Sequence, residues 1–332
     1  MESRESTTYV LGAGASLHAG YPFAKSMGAH LLAWMRLPRE EAWFNFAATA
    51  DFVEAQFGDH IEHIFNGVQA QIDSKGPGHT LLANVHKPCL LEAMRQWFAE
   101  IHQQQHAPAY QRFAFEIVKP GDTIITFNYD VSLDSRLHES GTWSIGDGYG
   151  FAVDGLPSGS TVKILKLHGS INWLAILFSG VINGSFALPR AGAFGSRPVF
   201  GSNDLTALGY EGLRDPHFTG PAAAVPPLIL PTSRKTFFFQ TSLGREWEGF
   251  WRRLWNGAKR KIEASSKVVV CGYGMYPIDR RGSNLLLRSS IRADIEVCCG
   301  SDSGRIVKKL QDAGHKAHQA SHTYFEQWVG SQ

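Results

Sequence analysis

The sequence has few cysteines, and their spacing excludes the common cysteine-rich sites. Only four of its 332 residues are cysteines, Cys89, Cys271, Cys298 and Cys299, and none forms a Cys-x-x-Cys pair. A structural zinc ribbon therefore has no ligands here, and we expect no bound metal. Two of the cysteines are adjacent and two lie in apolar runs, which is typical of reduced, buried thiols in a cytoplasmic protein.

Long apolar runs are also missing. No stretch approaches the roughly 18 apolar residues that a transmembrane helix needs, so we expect no membrane partner. The first residues, MESREST, do not resemble a signal peptide, and the last, WVGSQ, carry no lipidation signal. The net charge of +2 does not require a polyanionic partner. These absences together predict a cytoplasmic protein.

Short apolar runs and amphipathic segments alternate along the chain. The predicted helices cover 24–35, 245–264, 283–291 and 303–314, and the predicted strands cover 8–11, 123–127, 162–167, 227–230, 267–273 and 294–299. Several strands are almost continuously apolar, which is typical of a parallel sheet covered on both faces. The fold class predicted is α/β, with a Rossmann-like doubly wound, mainly parallel sheet.

Two stretches interrupt this alternation. Residues 36–120 carry almost only helical pattern and are too long for a simple crossover, so we expect a helical insertion. Residues 178–227 are rich in Gly, Ser and Pro and are expected to form a loop or flap that gates the site or serves as an interface. We expect both to be insertions in a single domain that spans 1–332.

A glycine-rich turn follows the first predicted strand. In Gly12-Ala13-Gly14-Ala15-Ser16, backbone N–H groups and the start of the next helix could hold a pyrophosphate. The dinucleotide-binding pattern Gly-x-Gly-x-x-Gly is incomplete because Leu17 stands at its last position, and no Gly-Lys-Ser/Thr phosphate loop is present. A tight turn without a ligand remains the alternative.

Polar residues stand at the ends of three further predicted strands, where open α/β sheets bind ligands. Thr126, Asn128 and Asp130 follow the second strand, and Asp130 could instead cap the next helix. His168 follows the third strand, although a lone histidine can also be structural. Later in the chain, the glycine turn Gly272-Tyr273-Gly274 could hold the other half of an extended dinucleotide.

The order of these motifs, GAGAS, TFNYD, LHG and a strand into a glycine turn, resembles the sirtuin superfamily. The resemblance runs from residue 9 to about 290 and is strongest to the bacterial sirtuin-like branch, whose members are often NAD-cleaving effectors of antiphage defence. It implies a sirtuin-like NAD-binding domain over 1–332. It also implies roles for the matching residues: Gly12 to Ser16 bind phosphate, Asn128 and Asp130 face the nicotinamide and its ribose, His168 is catalytic, and Gly272 to Gly274 approach the adenosine.

The differences from deacylating sirtuins change the activity that we predict. Phe127 replaces the family's Gln, and no cysteine between 89 and 271 could build the zinc module that follows the catalytic histidine in deacylases. We therefore predict an NAD+ glycohydrolase that consumes NAD+ as its substrate. The alternatives are a non-catalytic NAD or ADP-ribose sensor, which would need neither Asn128 nor His168, and ADP-ribosyl transfer or deacylation.

The predicted activity also leads to expectations about regulation and binding partners. Uncontrolled NAD+ cleavage would kill the host, so we expect a homo-oligomer, a separate activating protein, or both. The run WRRLWNGAKRK (251–261) carries five cations, but its spacing indicates a solvated helix face with Trp251 and Trp255 turned inward. Direct contact with nucleic acid is not expected.

Overall fold

The computed structural model describes residues 6–38, 45–104, 106–151, 158–176, 181–182, 185–186, 199–200, 224–225, 228, 244–277 and 279–332. The chain divides into two compact units. The first comprises Met1–Tyr21, Gln105–His168 and Glu248–Gln332, and the second comprises Pro22–Gln104 and Gly169–Trp247.

The elements are numbered in chain order. The strands are β1 (Thr7–Leu11), β2 (Thr123–Thr126), β3 (Lys163–Lys166), β4 (Trp173–Ile176), β5 (Val181–Ile182), β6 (Ser185–Phe186), β7 (Val199–Phe200), β8 (Ala224–Val225), β9 (Lys267–Cys271), β10 (Asp294–Cys298) and β11 (Ala317–Gln319). The helices are α1 (Ala24–Met35), α2 (Phe46–Phe57), α3 (Ile61–Ser74), α4 (His79–Leu81), α5 (Lys87–Gln104), α6 (Pro108–Arg112), α7 (Ser132–Glu139), α8 (Gly244–Ala264), α9 (Arg280–Leu287), α10 (Ser303–Asp312) and α11 (Phe325–Ser331).

The first unit is built on a six-stranded sheet in which every pair of neighbours is parallel. The strand order is β11-β10-β9-β1-β2-β3. This is the order of a doubly wound dinucleotide-binding fold, so the predicted fold class is confirmed. Val10, Ile125 and Val270 are fully buried, as expected for strands covered on both faces.

The sheet reverses its winding direction between β1 and β9. The chain passes from β1 to β2 and β3 on one side, and then returns to β9, β10 and β11 on the other. The carboxyl ends of neighbouring strands lie at the same edge, and a doubly wound sheet opens a crevice at this reversal point. The segments that follow β1, β2, β3 and β9 therefore lie around one crevice.

Two details of this unit were not predicted from the sequence. One is β11, the sixth strand of the sheet; the predicted strand 227–230 lies outside the described residues except for Leu228. β11 has only three residues, two of them exposed, so it shows no apolar run. α9 begins at Arg280 rather than at 283, because the Asp279 carboxylate accepts a hydrogen bond from Gly282 N and caps the helix.

The second unit is mainly helical in its first segment. α1 packs against α2, α3 and α5. Gly28 permits this packing, because a Cβ at that position would collide with the backbone of Asp59 and Ile61 just before and at the start of α3. β4, β7 and β8 form a small antiparallel sheet, and β5 pairs with β6. Most of the predicted flap at 178–227 lies outside the described residues.

A π-helical turn, Leu82–His86, joins α4 to α5, and another, Phe113–Ile117, follows α6.

Within the described ranges, no helix is both long enough and apolar enough to cross a membrane.

Candidate functional site

The two glycine turns pack directly against each other. Gly12 N donates to Cys271 O, and Gly14 N donates to Gly272 O, both at 3.0 Å. A Cβ at Gly12 would lie 2.6 Å from both Gly272 O and the Cα of Tyr273. Gly272 has a φ of +62°, and a Cβ there would collide with the backbone of Gly14 and its successor. The glycines are therefore required by the contact between the turns, whatever ligand the turns hold.

The part of the first turn that a ligand can reach is short. A 3₁₀ helix, Ala13–Ala19, begins immediately after Gly12. Ala13 and Gly14 are half-buried, whereas Ala15 and Ser16 are fully buried beneath them. Of the five residues of the predicted phosphate-binding turn, Ala13 and Gly14 are thus the accessible ones, and Ser16 faces the interior.

Ser16 connects the first turn to the end of β2. The Asn128 side-chain amide donates to Ser16 Oγ at 2.8 Å and to Gly12 O at 3.0 Å. Ser16 Oγ in turn donates to Asp130 Oδ2 at 2.8 Å and lies 2.7 Å from Tyr110 Oη. Because the amide hydrogens of Asn128 face inward, its half-exposed side chain is held with a fixed orientation at the crevice.

Asn128 has one remaining polar group that could contact a ligand. Both hydrogen bonds of its side chain use the amide nitrogen, and within the described ranges no hydrogen bond involves its amide oxygen. Thr126 fixes the backbone below it, because Thr126 Oγ1 accepts from Asn128 N at 3.1 Å. The oxygen can therefore accept a hydrogen bond from a water molecule or a sugar hydroxyl.

Both carboxylate oxygens of Asp130 are occupied by the protein. Oδ2 accepts from Ser16, Oδ1 accepts from Ser132 N at 3.2 Å at the start of α7, and the residue is 5% exposed. Burial raises the pKa of Asp130, and the nearby Lys166 ammonium opposes that rise. The structure thus places Asp130 at the start of α7 and beneath the glycine turn, with each carboxylate oxygen in contact with the protein.

A buried lysine supports this network from below. Lys166, on β3, is fully buried, and its ammonium donates to Asp130 O and pairs with the Asp134 carboxylate at 3.2 Å. Tyr149 Oη donates to the same carboxylate at 2.6 Å. A buried charge is tolerated only where it is paired and hydrogen-bonded, as it is here.

His168 lies at the end of β3, enclosed by aromatic rings. The ring centroids of Phe127, Tyr129 and Trp255 lie 5.0, 6.4 and 6.4 Å from that of the imidazole. His168 is 7% exposed. Phe127 and Tyr129 are the two neighbours of Asn128 in sequence. Asn128 and His168 therefore follow adjacent strands and lie at the same edge of the sheet.

Asp279 is a residue of this site that the sequence-based reasoning missed. Its Oδ2 lies 3.6 Å from His168 Nε2 and accepts a hydrogen bond from Tyr273 Oη at 2.8 Å. The sequence feature that could have drawn attention to Asp279 is its position just before α9, which is typical of an N-cap. Nothing in the sequence indicates that the same carboxylate faces a histidine 111 positions earlier.

The second glycine turn divides into two parts. Tyr273 packs flat on Phe127, with centroids 4.2 Å apart, and so lies beside His168. Gly274 instead contacts the ring of Tyr276, and its carbonyl accepts from the Arg305 guanidinium at 2.6 Å. Gly272 and Tyr273 are thus grouped with the other predicted site residues, whereas Gly274 packs toward α10.

Two remaining predictions from the sequence concern metal ligands and the basic run on α8. Over the part of the chain that the structure describes, no group of three His, Cys, Asp or Glu side chains is placed to hold a metal ion. On α8, Trp251 and Trp255 are buried. The five cations of the basic run, Arg252, Arg253, Lys259, Arg260 and Lys261, are exposed.

No protein-family model and no curated protein matches this chain. Solved sirtuin structures are similar to it over nearly its full length at low sequence identity. One, from a study of sirtuin substrate affinity, has a TM-score of 0.41 and 12% identity and covers 99% of this chain and 94% of that one. A Sir2 complex with the inhibitor EX-527, 2'-O-acetyl-ADP-ribose and a deacetylated p53 peptide has a TM-score of 0.40 and 10% identity and covers 98% and 91%. A Sir2 complex with a p53 peptide and NAD+ has a TM-score of 0.38 and 13% identity and covers 99% and 92%.

Proposed function

We propose that this chain is an NAD+ glycohydrolase that cleaves NAD+ to nicotinamide and ADP-ribose. The observation that carries the proposal is the placement of Asn128 and His168 at the ends of adjacent strands, beside the glycine turn that follows β1. In a doubly wound sheet this edge is the ligand-binding edge. The motif resemblance supplies the dinucleotide as the ligand.

Each proposed role uses a group that is accessible or fixed by its neighbours. Ala13 and Gly14 line the half-buried rim of the turn, where the pyrophosphate would bind. Because the N–H groups of Gly12 and Gly14 donate to the second glycine turn, the Ala13 N–H would be the donor to the pyrophosphate. The Asn128 amide oxygen would orient a ribose hydroxyl or the attacking water. Asp130 would act through Ser16, whose position holds both the turn and the Asn128 amide.

His168 would act as the general base. Water adds to the anomeric carbon of the nicotinamide ribose while the bond from that carbon to the nicotinamide nitrogen breaks. Its electron pair neutralises the pyridinium, and the water proton passes to His168. The aromatic rings around the imidazole would keep other water away, which favours one aimed nucleophile.

The test is direct. The purified chain is incubated with NAD+, and nicotinamide and ADP-ribose are followed by chromatography, beside Asn128→Ala and His168→Ala. A positioned general base contributes roughly 10²–10⁴-fold in rate, so His168→Ala should lose about that factor. His318→Ala, which changes an exposed histidine on β11, is the matched control and should keep full activity. Circular dichroism and melting curves establish that each variant is folded.

Two outcomes would contradict the proposal. Full activity in a folded His168→Ala variant would remove the assigned base. Tight binding of NAD+ with no nicotinamide release, including in the presence of host or phage lysate, would indicate a sensor instead.

The resemblance extends the proposal to a biological role. The chain would be a regulated effector of bacterial antiphage defence, kept at low resting activity and switched on by assembly or by a partner. On phage infection, bacteria expressing the wild type should lose NAD+ and resist the phage, and those expressing His168→Ala should do neither. Resistance that persists in His168→Ala would separate any defence role from NAD+ cleavage.

A further inference from the structure

We propose that Asp279 is a positioning residue for His168, holding the imidazole in one orientation and stabilising its protonated form. The proposal deepens the proposed function and rests on it for its catalytic meaning. It concerns a carboxylate that no sequence motif points to, contributed by the N-terminus of α9.

The contact geometry fixes the carboxylate on more than one side. Asp279 Oδ1 accepts from Gly282 N at 3.0 Å, and Oδ2 accepts from Tyr273 Oη at 2.8 Å. Oδ2 also lies 3.6 Å from His168 Nε2. The residue is 8% exposed. A carboxylate held in this way cannot rotate away from the histidine without losing its helix cap.

The surroundings of His168 and Asp279 strengthen the electrostatic interaction between them. The His168 ring packs against Phe127 and Trp255, and both partners of the pair are buried. In such a site two charges interact far more strongly than in water. A histidine that has accepted a proton would therefore be stabilised by Asp279, which makes neutral His168 a stronger base.

Other titratable groups face the pair. Tyr129 packs against the imidazole, and burial together with Asp279 raises its pKa far above the usual range, so it stays neutral. Tyr273 also stays neutral, because burial and the same carboxylate raise its pKa well above 10.0. The Arg281 guanidinium lies over the Trp255 ring at 4.5 Å. Among these described groups, Asp279 is an anion within 3.6 Å of the His168 imidazole.

The test changes the charge and keeps the helix cap. Asparagine is as good an N-cap as aspartate, so Asp279→Asn preserves the start of α9 and an oxygen that can accept from Tyr273. The pKa of His168 is measured by NMR of the imidazole in the full chain, a readout that does not need turnover. A nearby opposite charge favours the charged form and shifts the pKa of an aspartate beside an arginine by about 1–3 units. We expect an effect of similar size here, so Asp279→Asn should lower the His168 pKa by about that amount.

A second carboxylate at the same edge of the sheet provides the matched control. Asp302 precedes α10 and accepts from Tyr276 Oη at 3.2 Å, repeating the pairing of an aspartate with a tyrosine. It has no contact with His168 among the described residues. Asp302→Asn should leave the His168 titration unchanged. An equal change in both variants, or no change in Asp279→Asn, would overturn the proposal.

Activity measurements then separate this proposal from the proposed function. If NAD+ is cleaved, the acidic limb of the kcat profile should shift to lower pH in Asp279→Asn by the same amount as the His168 pKa. An unshifted limb would overturn the positioning role. If the pKa falls but no condition yields nicotinamide, the His168–Asp279 pair is supported and the NAD+ glycohydrolase is not.

Discussion

Replacing the buried Lys166 should destabilise the protein far more than replacing its neighbour on the same strand. Lys166 is fully buried and pairs with Asp134, whose side chain is 3% exposed. Lys163 pairs with Asp147 at 2.7 Å, but these side chains are 29% and 24% exposed. β3 thus carries two lysine–aspartate pairs that differ mainly in their contact with water.

The expected magnitudes follow from that difference. Lys166→Met leaves the Asp134 charge buried without its partner and Asp130 O without its donor. Breaking a buried pair in this way costs about 3–5 kcal/mol. Lys163→Met should cost about 0.2–1 kcal/mol, because water can replace the lost partner. A loss of 3–5 kcal/mol is a large share of the roughly 5–15 kcal/mol by which folded proteins are stable.

The assay is urea unfolding followed by tryptophan fluorescence, with both variants measured beside the wild type. For a slope of about 3 kcal/mol per molar urea, the Lys166→Met midpoint should fall by roughly 1–1.7 M. The double variant Lys166→Met with Asp134→Asn removes the unpaired charge and keeps an acceptor for Tyr149 Oη. It should therefore recover about 1–2 kcal/mol of the loss.

The comparison between the two lysines can refute the reasoning. Equal midpoints for Lys166→Met and Lys163→Met would mean that the buried pair contributes no more than the half-exposed one. A double variant less stable than Lys166→Met alone would show that the cost does not come from an uncompensated carboxylate.

Two further predictions concern the glycine turn after β9 and the buried Asp130. Gly272→Ala should destabilise by more than about 2 kcal/mol, since φ is +62° and the added Cβ meets the first turn. Gly257→Ala, inside α8 with open space around it, should stabilise by about 0.5–1 kcal/mol, and thermal melts compare the two. Because burial raises the pKa of Asp130, its neutral form favours folding below pH 3.8, and this contribution is lost as pH rises through the folded-state pKa. In urea titrations, Asp130→Asn should therefore gain stability relative to the wild type as the pH rises from 3.8 through the folded-state pKa of Asp130. A stability difference that is independent of pH would contradict this.

Five of the six sheet strands could be predicted from the sequence, because each is a local signal. β1, β2, β3, β9 and β10 are apolar runs, and all but β10 run directly into a glycine turn or a polar residue. A parallel sheet then requires their carboxyl ends to lie at one edge, so the neighbourhood of Gly12, Asn128 and His168 follows from the strand pattern. β11 could not be found in this way, since a three-residue strand with two exposed side chains has no periodicity to detect.

The sequence by itself determined the doubly wound class and the positions of the polar residues at the strand ends, because these depend on a few consecutive residues. Only the tertiary structure decided what those residues contact. It shows that the glycines accommodate each other's backbone, that Asp130 faces Ser16, and that Asp279 faces His168. These contacts join residues more than 100 positions apart, and no local pattern specifies which distant side chain a buried polar group will face.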